Sequence, residues 1–304
     1  MVCILAMVFL ASMIHFIPGD PVQTLLGPRA TPERSAKVRE MMGLNDPVPV
    51  QVYNFVINAL QGDLGVDFVS GQAVTEIILE ALPHTFWLAF VSLGLAALTG
   101  IPLGVFSAAH PNSFADRVTS VLSISFITMP SFVAALLLLL LFAVVLGWFP
   151  AIGVGDPNDP VDYLKHLILP SIALAITWIG YLARLVRASM LEILNETYIR
   201  TALSFGLRAR TVFYKHALRN AIIPTVAVLG VGLGSLLGGA IFTEVIFTRP
   251  GLGRLIYDAI ADRNYPIVRG GILVAALFFV FANLITDLSY HFLDPRIRLE
   301  EKKG

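Results

Sequence analysis

Charge is what this chain has least of. Only 14% of its 304 residues are Asp, Glu, Lys or Arg, against about a quarter in ordinary soluble domains. With 56% hydrophobic residues and a mean hydropathy of +0.77, it has too little polar surface to cover a water-soluble globule of this length. Lipid is the expected solvent. Cysteine is nearly absent as well: Cys3 stands alone, which excludes an intrachain disulfide and a cysteine metal cluster. It reads as a small apolar residue in the first apolar stretch. Basic and acidic residues balance at 21 each, so total charge gives no ground for a nucleic-acid partner.

Catalytic motifs are missing too. A phosphate-binding loop needs Gly before Lys and Ser or Thr after it, so that backbone amides cradle the phosphates and the hydroxyl reaches magnesium. Lys37, Lys165, Lys215, Lys302 and Lys303 have neither neighbour. His15, His84, His110, His166, His216 and His291 show no His-Glu-x-x-His spacing, and no Gly-x-Ser-x-Gly elbow occurs. No metal site, cofactor or enzymatic activity is expected of this chain itself.

Long apolar runs are what it does have. A bilayer core of about 30 Å takes about 20 apolar residues in a helix rising about 1.5 Å each. Six stretches approach that: Met1 to Ile17, Thr85 to Ala109, Val118 to Leu146, His166 to Leu185, Ile222 to Phe242, and Gly271 to Phe292. The first ends at Pro18-Gly19-Asp20-Pro21, which cannot continue a helix. It lacks the basic n-region of a secretory signal and reads as a retained span. Being short, with no basic residue before it, it is expected to continue upstream of Met1. An all-α integral membrane protein of about six helices follows.

The basic residues set the orientation. Between the fourth and fifth spans stand Arg184, Arg187, Arg200, Arg208, Arg210, Lys215 and Arg219, against Glu192 and Glu196; the tail holds Arg296, Arg298, Lys302 and Lys303. By the positive-inside rule both are cytoplasmic, and with six spans so is the N-terminus. The expected organisation is a first span over 1–17, an extracytoplasmic segment over 18–84, a five-helix core over 85–296 with a cytoplasmic loop at 189–221, and a tail over 297–304. In the outer segment, Thr31-Pro32-Glu33 reads as N-cap, first-turn proline and acid, with Gly43 as the stop, and Pro47 to Gln61 reads as a second helix. These helices are either a docking surface or a cap on the bundle.

The cytoplasmic loop carries the strongest pattern. Tyr198, Ile199, Ala202, Leu203 and Phe205 recur at helical spacing, leaving Arg200, Thr201 and Ser204 on another face. Gly206 interrupts. From Arg208 the pattern restarts, with Ala209, Val212, Phe213, His216 and Ala217 on one side and Arg208, Arg210, Thr211, Lys215 and Arg219 on the other. Two amphipathic helices broken at a glycine make an elbow, which serves either as a basic loop on anionic headgroups or as a docking element for a partner.

Here the residues resemble a family. The run Tyr198-Ile199-Arg200-Thr201-Ala202-Leu203-Ser204-Phe205-Gly206-Leu207, then Lys215-His216-Ala217-Leu218-Arg219-Asn220-Ala221-Ile222-Ile223-Pro224, is similar to the cytoplasmic loop of ABC-importer permeases of the dipeptide, oligopeptide and nickel class, first-permease type. Gly206, Ala202 and Leu218 match the general permease pattern of Glu-Ala-Ala, Gly and Ile-x-Leu-Pro. Arg200, Thr201, His216 and Arg219 depart from it toward the peptide subfamily's own version. Ile17-Pro18-Gly19-Asp20-Pro21, Gly43-Leu44-Asn45-Asp46-Pro47, Gly62-Asp63-Leu64-Gly65, Pro250-Gly251-Leu252-Gly253 and Asp294-Pro295-Arg296-Ile297-Arg298 resemble that subfamily's segments, in the same order.

The resemblance implies a type I importer permease fold in a bacterial cytoplasmic membrane. The implied partners are a second homologous permease, two ATP-binding subunits that hold ATP and Mg²⁺, and an extracytoplasmic binding protein. It also implies a coupling helix at Arg200 to Gly206, with Leu207 beyond it, that enters a groove on the ATPase. Short peptides are the expected cargo, with nickel, glutathione or opines as alternatives. An ion-coupled secondary transporter is the competing class, for which inverted repeats would be the sign.

Within the spans, Gly230, Gly234 and Gly238 recur every four residues and make a close-packing face, within this subunit or against a second permease. Glu244 and Asp287, near span ends, are candidate contacts for a peptide amine or metal cation, or structural acids that are hydrated or paired with arginine. Met129-Pro130 and Leu169-Pro170 are candidate kinks, with Ser131, Ser171, Thr177, Trp178 and Tyr181 as candidate pore lining, unless the hydroxyls bond back to their own helix.

Overall fold

A computed structural model describes residues 8–9, 31–41, 46–67, 69–156 and 158–293. The expected first span, apart from Val8 and Phe9, and the tail lie outside the described residues, as do Gly43, the surroundings of Gly238 and the side chain of Asp287. Among the described residues the fold is helical, with one isolated antiparallel bridge from Val66 to Ala73.

The helices are α1 (Pro32–Met41), α2 (Val48–Leu60), α3 (Val74–Ala109), α4 (Phe114–Thr128), α5 (Ser131–Val145, π-helical from Leu139), α6 (Pro160–Leu194), α7 (Thr197–Ser204), α8 (Ala209–Ala221, π-helical over Val212–Ala217), α9 (Ile223–Gly239), α10 (Ile241–Ile246), α11 (Leu252–Ala261) and α12 (Tyr265–Leu293). Three of them, α3, α6 and α12, are long and apolar enough to cross a bilayer singly, and two bent pairs, α4 with α5 and α8 with α9, bring the count to five. The chain is a multi-pass membrane protein.

The third expected span, Val118 to Leu146, is not one straight helix. It turns by 102° between α4 and α5. Pro130 has no amide hydrogen and disfavours helical dihedrals at the residue before it. Met129 accordingly sits at φ −78°, ψ 117°, which ends α4. Pro170, by contrast, is carried inside α6 without ending it. The fifth span is shorter than expected, because α9 stops at Gly239 and Phe242 belongs to α10.

Two compact units divide the chain, one comprising Met1–Phe86 with Arg249–Phe278, the other Trp87–Thr248 with Phe279–Gly304. In the first, Phe55 of α2, Leu64, Val74 and Ile78 of α3, Leu252 and Ile256 of α11, and Ile267 and Val268 of α12 form one buried core. Its closeness depends on glycine: a Cβ at Gly270 would lie 2.8 Å from the Val74 side chain, and one at Gly271 2.7 Å from Ile256. The Thr85 hydroxyl accepts the Leu252 amide at 2.7 Å, satisfying one of the free donors at the start of α11.

In the second unit, α6 is the central element, packed by α4, α5, α7, α8, α9 and α10. Gly100 and Gly104 let α3 approach it, since a Cβ at Gly100 would lie 2.9 Å from the Ile179 carbonyl and one at Gly104 2.8 Å from the Val186 side chain. On the other side a Cβ at Gly180 would meet the Ser123 carbonyl of α4 at 2.5 Å. Close backbone approach of this kind is what holds helices together where lipid tails leave no aqueous hydrophobic drive between them.

Candidate functional site

The elbow is built as two short helices around Gly206. Helix α7 ends at Ser204, and Gly206 turns the chain with φ +79°, a left-handed conformation that costs an L-residue about 1–2 kcal/mol. No atom stands within 4 Å of a Cβ there, so the requirement is conformational rather than steric.

Of the apolar set on α7, Ile199 is fully buried and Ala202 half-buried, while Tyr198, Leu203 and Phe205 are exposed, Phe205 at 83%. Two helical turns offer one stripe to the protein, and Ile199 fills it with Ala202 beside it. It packs in a core with Val105 and Ala108 of α3, Val186 and Met190 of α6, and Val212, Ala217 and Ala221 of α8. A hydrogen bond from Asn220 Nδ2 to the Tyr198 hydroxyl, 2.8 Å, ties α7 to α8. Leu203, Phe205 and Leu207 thus form an exposed apolar patch beside the exposed Arg200, Thr201 and Ser204. On α8 the division follows the sequence pattern, with Val212 and Ala217 buried and Arg208, Arg210, Thr211, Lys215 and Arg219 exposed; Ala209 is exposed as well.

A second site lies at the break between α4 and α5. A cleft of about 440 Å³ is lined by Thr128, Met129, Pro130 and Ser131, by Thr177 and Trp178 of α6, and by Ser235 and Gly239 of α9, with no charged side chain among its lining residues. The Thr177 hydroxyl reaches across to the Met129 carbonyl, 3.3 Å, an acceptor left outside the helical ladder because the Val133 amide bonds the Pro130 carbonyl instead. The indole of Trp178 lies against α9, where a Cβ on Gly232 would come within 2.8 Å of the ring. Tyr181 meets Trp178 edge to face at 6.0 Å between centroids and is outside the cleft lining. Ser171 is fully buried in α6 and also lies outside the cleft.

Gly230 and Gly234 face α12 within the same unit. A Cβ at Gly230 would collide with the Thr286 side chain, and one at Gly234 would lie 3.1 Å from Phe279 and 3.3 Å from Ala282. Glu244 is fully buried on α10. The backbone of Asp287 belongs to α12, and its side chain lies outside the described residues.

One polar cluster lies outside the residues that the sequence pattern singles out. Asp116, near the start of α4, accepts from Arg187 of α6 through Nε at 2.6 Å and Nη2 at 2.8 Å, from the Asn112 amide at 2.9 Å, and from the Ser107 hydroxyl of α3. The signal was Ser113-x-x-Asp116, a capping pattern in which the Ser113 hydroxyl accepts the Asp116 amide at 3.1 Å. The partner seventy-one positions away carried no local signal. Gly100 and Gly104, four apart like the glycines of α9, were likewise legible and unread.

An importer is what this arrangement of spans, cleft and exposed elbow resembles, and comparison with known families decides it. Residues 100–299 match the family described as "Binding-protein-dependent transport system inner membrane component", and residues 1–89 match the N-terminal model of the same system. The chain belongs to this permease family. A dipeptide transport system permease protein, DppB, of Alkalihalophilus pseudofirmus is 41% identical over 308 residues, covering 94% of this permease and 92% of that one. A glutathione transport system permease protein, GsiC, of Pectobacterium atrosepticum is 40% identical over 296 residues, covering 97% and 94%. Among solved structures, the inward-facing MetNI methionine ABC transporter aligns with a TM-score of 0.60 at 18% identity, over 72% of this permease and 96% of that chain. An amino acid ABC transporter aligns with a TM-score of 0.54 at 21% identity, over 73% and 94%. Those two establish the fold alone.

Proposed function

We propose that this permease is one half of the pore of an ATP-driven importer of short peptides in a bacterial cytoplasmic membrane. Both termini and the elbow face the cytoplasm, where the basic residues concentrate. It receives cargo from an extracytoplasmic binding protein, pairs with a second permease, and depends on two ATP-binding subunits for hydrolysis, with ATP and Mg²⁺ held there. The observation that carries this reading is the elbow: an apolar patch of Leu203, Phe205 and Leu207 left exposed beside Arg200 on a helix keyed by Ile199 into three other helices. A patch so placed transmits a rigid-body movement of whatever covers it. Arg200 through Leu207 are thus the coupling residues, and the neutral cleft at Met129–Pro130 is the path of the cargo.

Peptide as cargo draws support from relatives named for dipeptide and peptide transport. A relative of equal similarity is named for glutathione, itself a peptide with one extra carboxylate, and this favours it as the second reading. The test is to assemble the complex with candidate binding proteins loaded with dipeptide, glutathione or nickel and to measure ATP hydrolysis. Stimulation by the dipeptide-loaded protein is expected; stimulation by the nickel-loaded protein alone would remove peptide as the cargo.

A further inference from the structure

A small cavity on the α4/α6 seam, about 170 Å³, is lined by Ser107, Thr119, Ser120 and Ser123 together with Arg184 and Arg187. Several helical hydroxyls of this permease bond back to the carbonyl four residues earlier, as Ser92, Thr99, Ser125, Thr128 and Thr286 do, while those of Ser171, Thr225 and Thr243 are buried without a partner among the described residues. Thr119, Ser120 and Ser123 make no such bond, and neither they nor Arg184 has a partner among the described residues. Arg187 and Ser107 are committed to Asp116, so Arg184 is the uncompensated charge. Three hydroxyls and a guanidinium line one cavity, the donor types that a carboxylate takes.

The position argues for cargo rather than lipid. Ser120, Ile124 and Thr128 recur every four residues on one face of α4, and Thr128 lines the cleft at the helix break. Thr177 of that cleft and Arg184, seven residues apart, likewise share a face of α6. Of the exposed apolar side chains of α4, Phe114, Val118, Val121 and Leu122 lie about 200° around the helix from the hydroxyls, while Ile124 lies on the cavity side and lines it. The hydroxyl face therefore continues the cleft toward the elbow end of the spans, on the side away from most of the exposed apolar residues of α4.

We infer that this cavity is an exit-side anion subsite that takes a carboxylate of the cargo, the C-terminal one in a peptide, from the neutral cleft. This rests on the peptide cargo and the orientation proposed above. Arg184 supplies the charge, and Thr119, Ser120 and Ser123 donate to the carboxylate oxygens.

The test is carried out on the assembled complex in phosphatidylcholine vesicles, with Arg184 modified by phenylglyoxal and the modified peptide quantified by mass. Dialanine should slow modification at Arg184, while dialanine amide should not, and Ser120→Ala with Ser123→Ala should abolish the protection. Equal rates with and without dialanine, or equal protection by acid and amide, would overturn the subsite. So would protection by added phosphatidylglycerol alone, which would make it a lipid site. In uptake assays Arg184→Gln should slow dialanine transport about tenfold and Arg184→Lys should retain most of it; unchanged uptake by Arg184→Gln would contradict the assignment. Protection by dialanine in a complex that takes up no peptide keeps the subsite and removes the cargo reading. Peptide uptake without protection does the reverse.

Discussion

Arg187 grips Asp116 with both Nε and Nη2, at 2.6 and 2.8 Å, and so fastens the start of α4 to α6 one turn from the core that holds Ile199 of the elbow. Asp116 is 4% exposed in its side chain and Arg187 30%. Removing Asp116 leaves the Arg187 charge in a site that water only partly reaches. Asp116→Ala should destabilise the solubilised permease by about 3 kcal/mol, the low end of the range for a broken buried pair because Arg187 is partly wet. Asp116→Leu with Arg187→Leu should recover most of that loss. Thermal unfolding of the two variants checks the pair; equal losses would mean that the charges act independently.

Gly206 occupies left-handed backbone with open space around it. Gly206→Val should insert into the membrane and fold, since nothing clashes, yet change the angle of α7 and reduce transport relative to ATP hydrolysis. Gly206→Asn, a residue that tolerates this conformation, should retain coupling. The ratio of peptide taken up to ATP hydrolysed reads this directly, and wild-type coupling in Gly206→Val would remove the glycine from the account.

Phe205 is exposed and packs on nothing that α7 needs for folding. Phe205→Asp should leave thermal stability within about 0.5 kcal/mol, while weakening retention of the ATP-binding subunits on an affinity column at least tenfold. Intact retention would show that the patch serves something else.

Gly230 and Gly239 make a matched pair on one helix. A methyl at Gly230 collides with Thr286, whereas at Gly239 it meets nothing within 4 Å. Gly230→Ala should cost about 1–3 kcal/mol by overpacking, and Gly239→Ala should be neutral. Denaturation in mild detergent separates them.

Asp67 anchors the loop before α3. Burial raises its carboxyl, but hydrogen bonds from the Ser70 hydroxyl, the Val69 amide, Asn264 Nδ2 and the Ser70 amide outweigh burial and hold it below the ordinary carboxylate value. A depressed carboxylate stabilises above its unfolded value, about 3.9, and that stabilisation is lost as pH falls further. Protection factors of the amides at residues 67–74 and 262–268, referred to intrinsic exchange at each pH, should therefore fall on acidification below about pH 4, and Asp67→Asn should flatten this dependence.

The spans were legible because long apolar runs have few other uses. The 102° turn was not, because Pro130 announces a break while its angle depends on the ψ of Met129 and on the Thr177 hydroxyl that steadies it. The helical halves of the elbow followed from spacing, but spacing placed Leu203 and Phe205 on a face with Ile199 and did not say that Ile199 is buried while those two stay exposed. What joins distant segments, Arg187 with Asp116 or Gly270 with Val74, leaves no periodic trace, since each depends on a single pair far apart in the chain.

The central claim is that this permease moves peptide with energy taken through its elbow from separate ATP-binding subunits. Vesicles holding the full complex and supplied with a peptide-loaded binding protein test it most directly. Peptide uptake is expected to require ATP, to persist when proton and sodium gradients are collapsed, and to stop when the ATP-binding subunits are left out. Uptake that follows a proton or sodium gradient and ignores ATP would contradict the account.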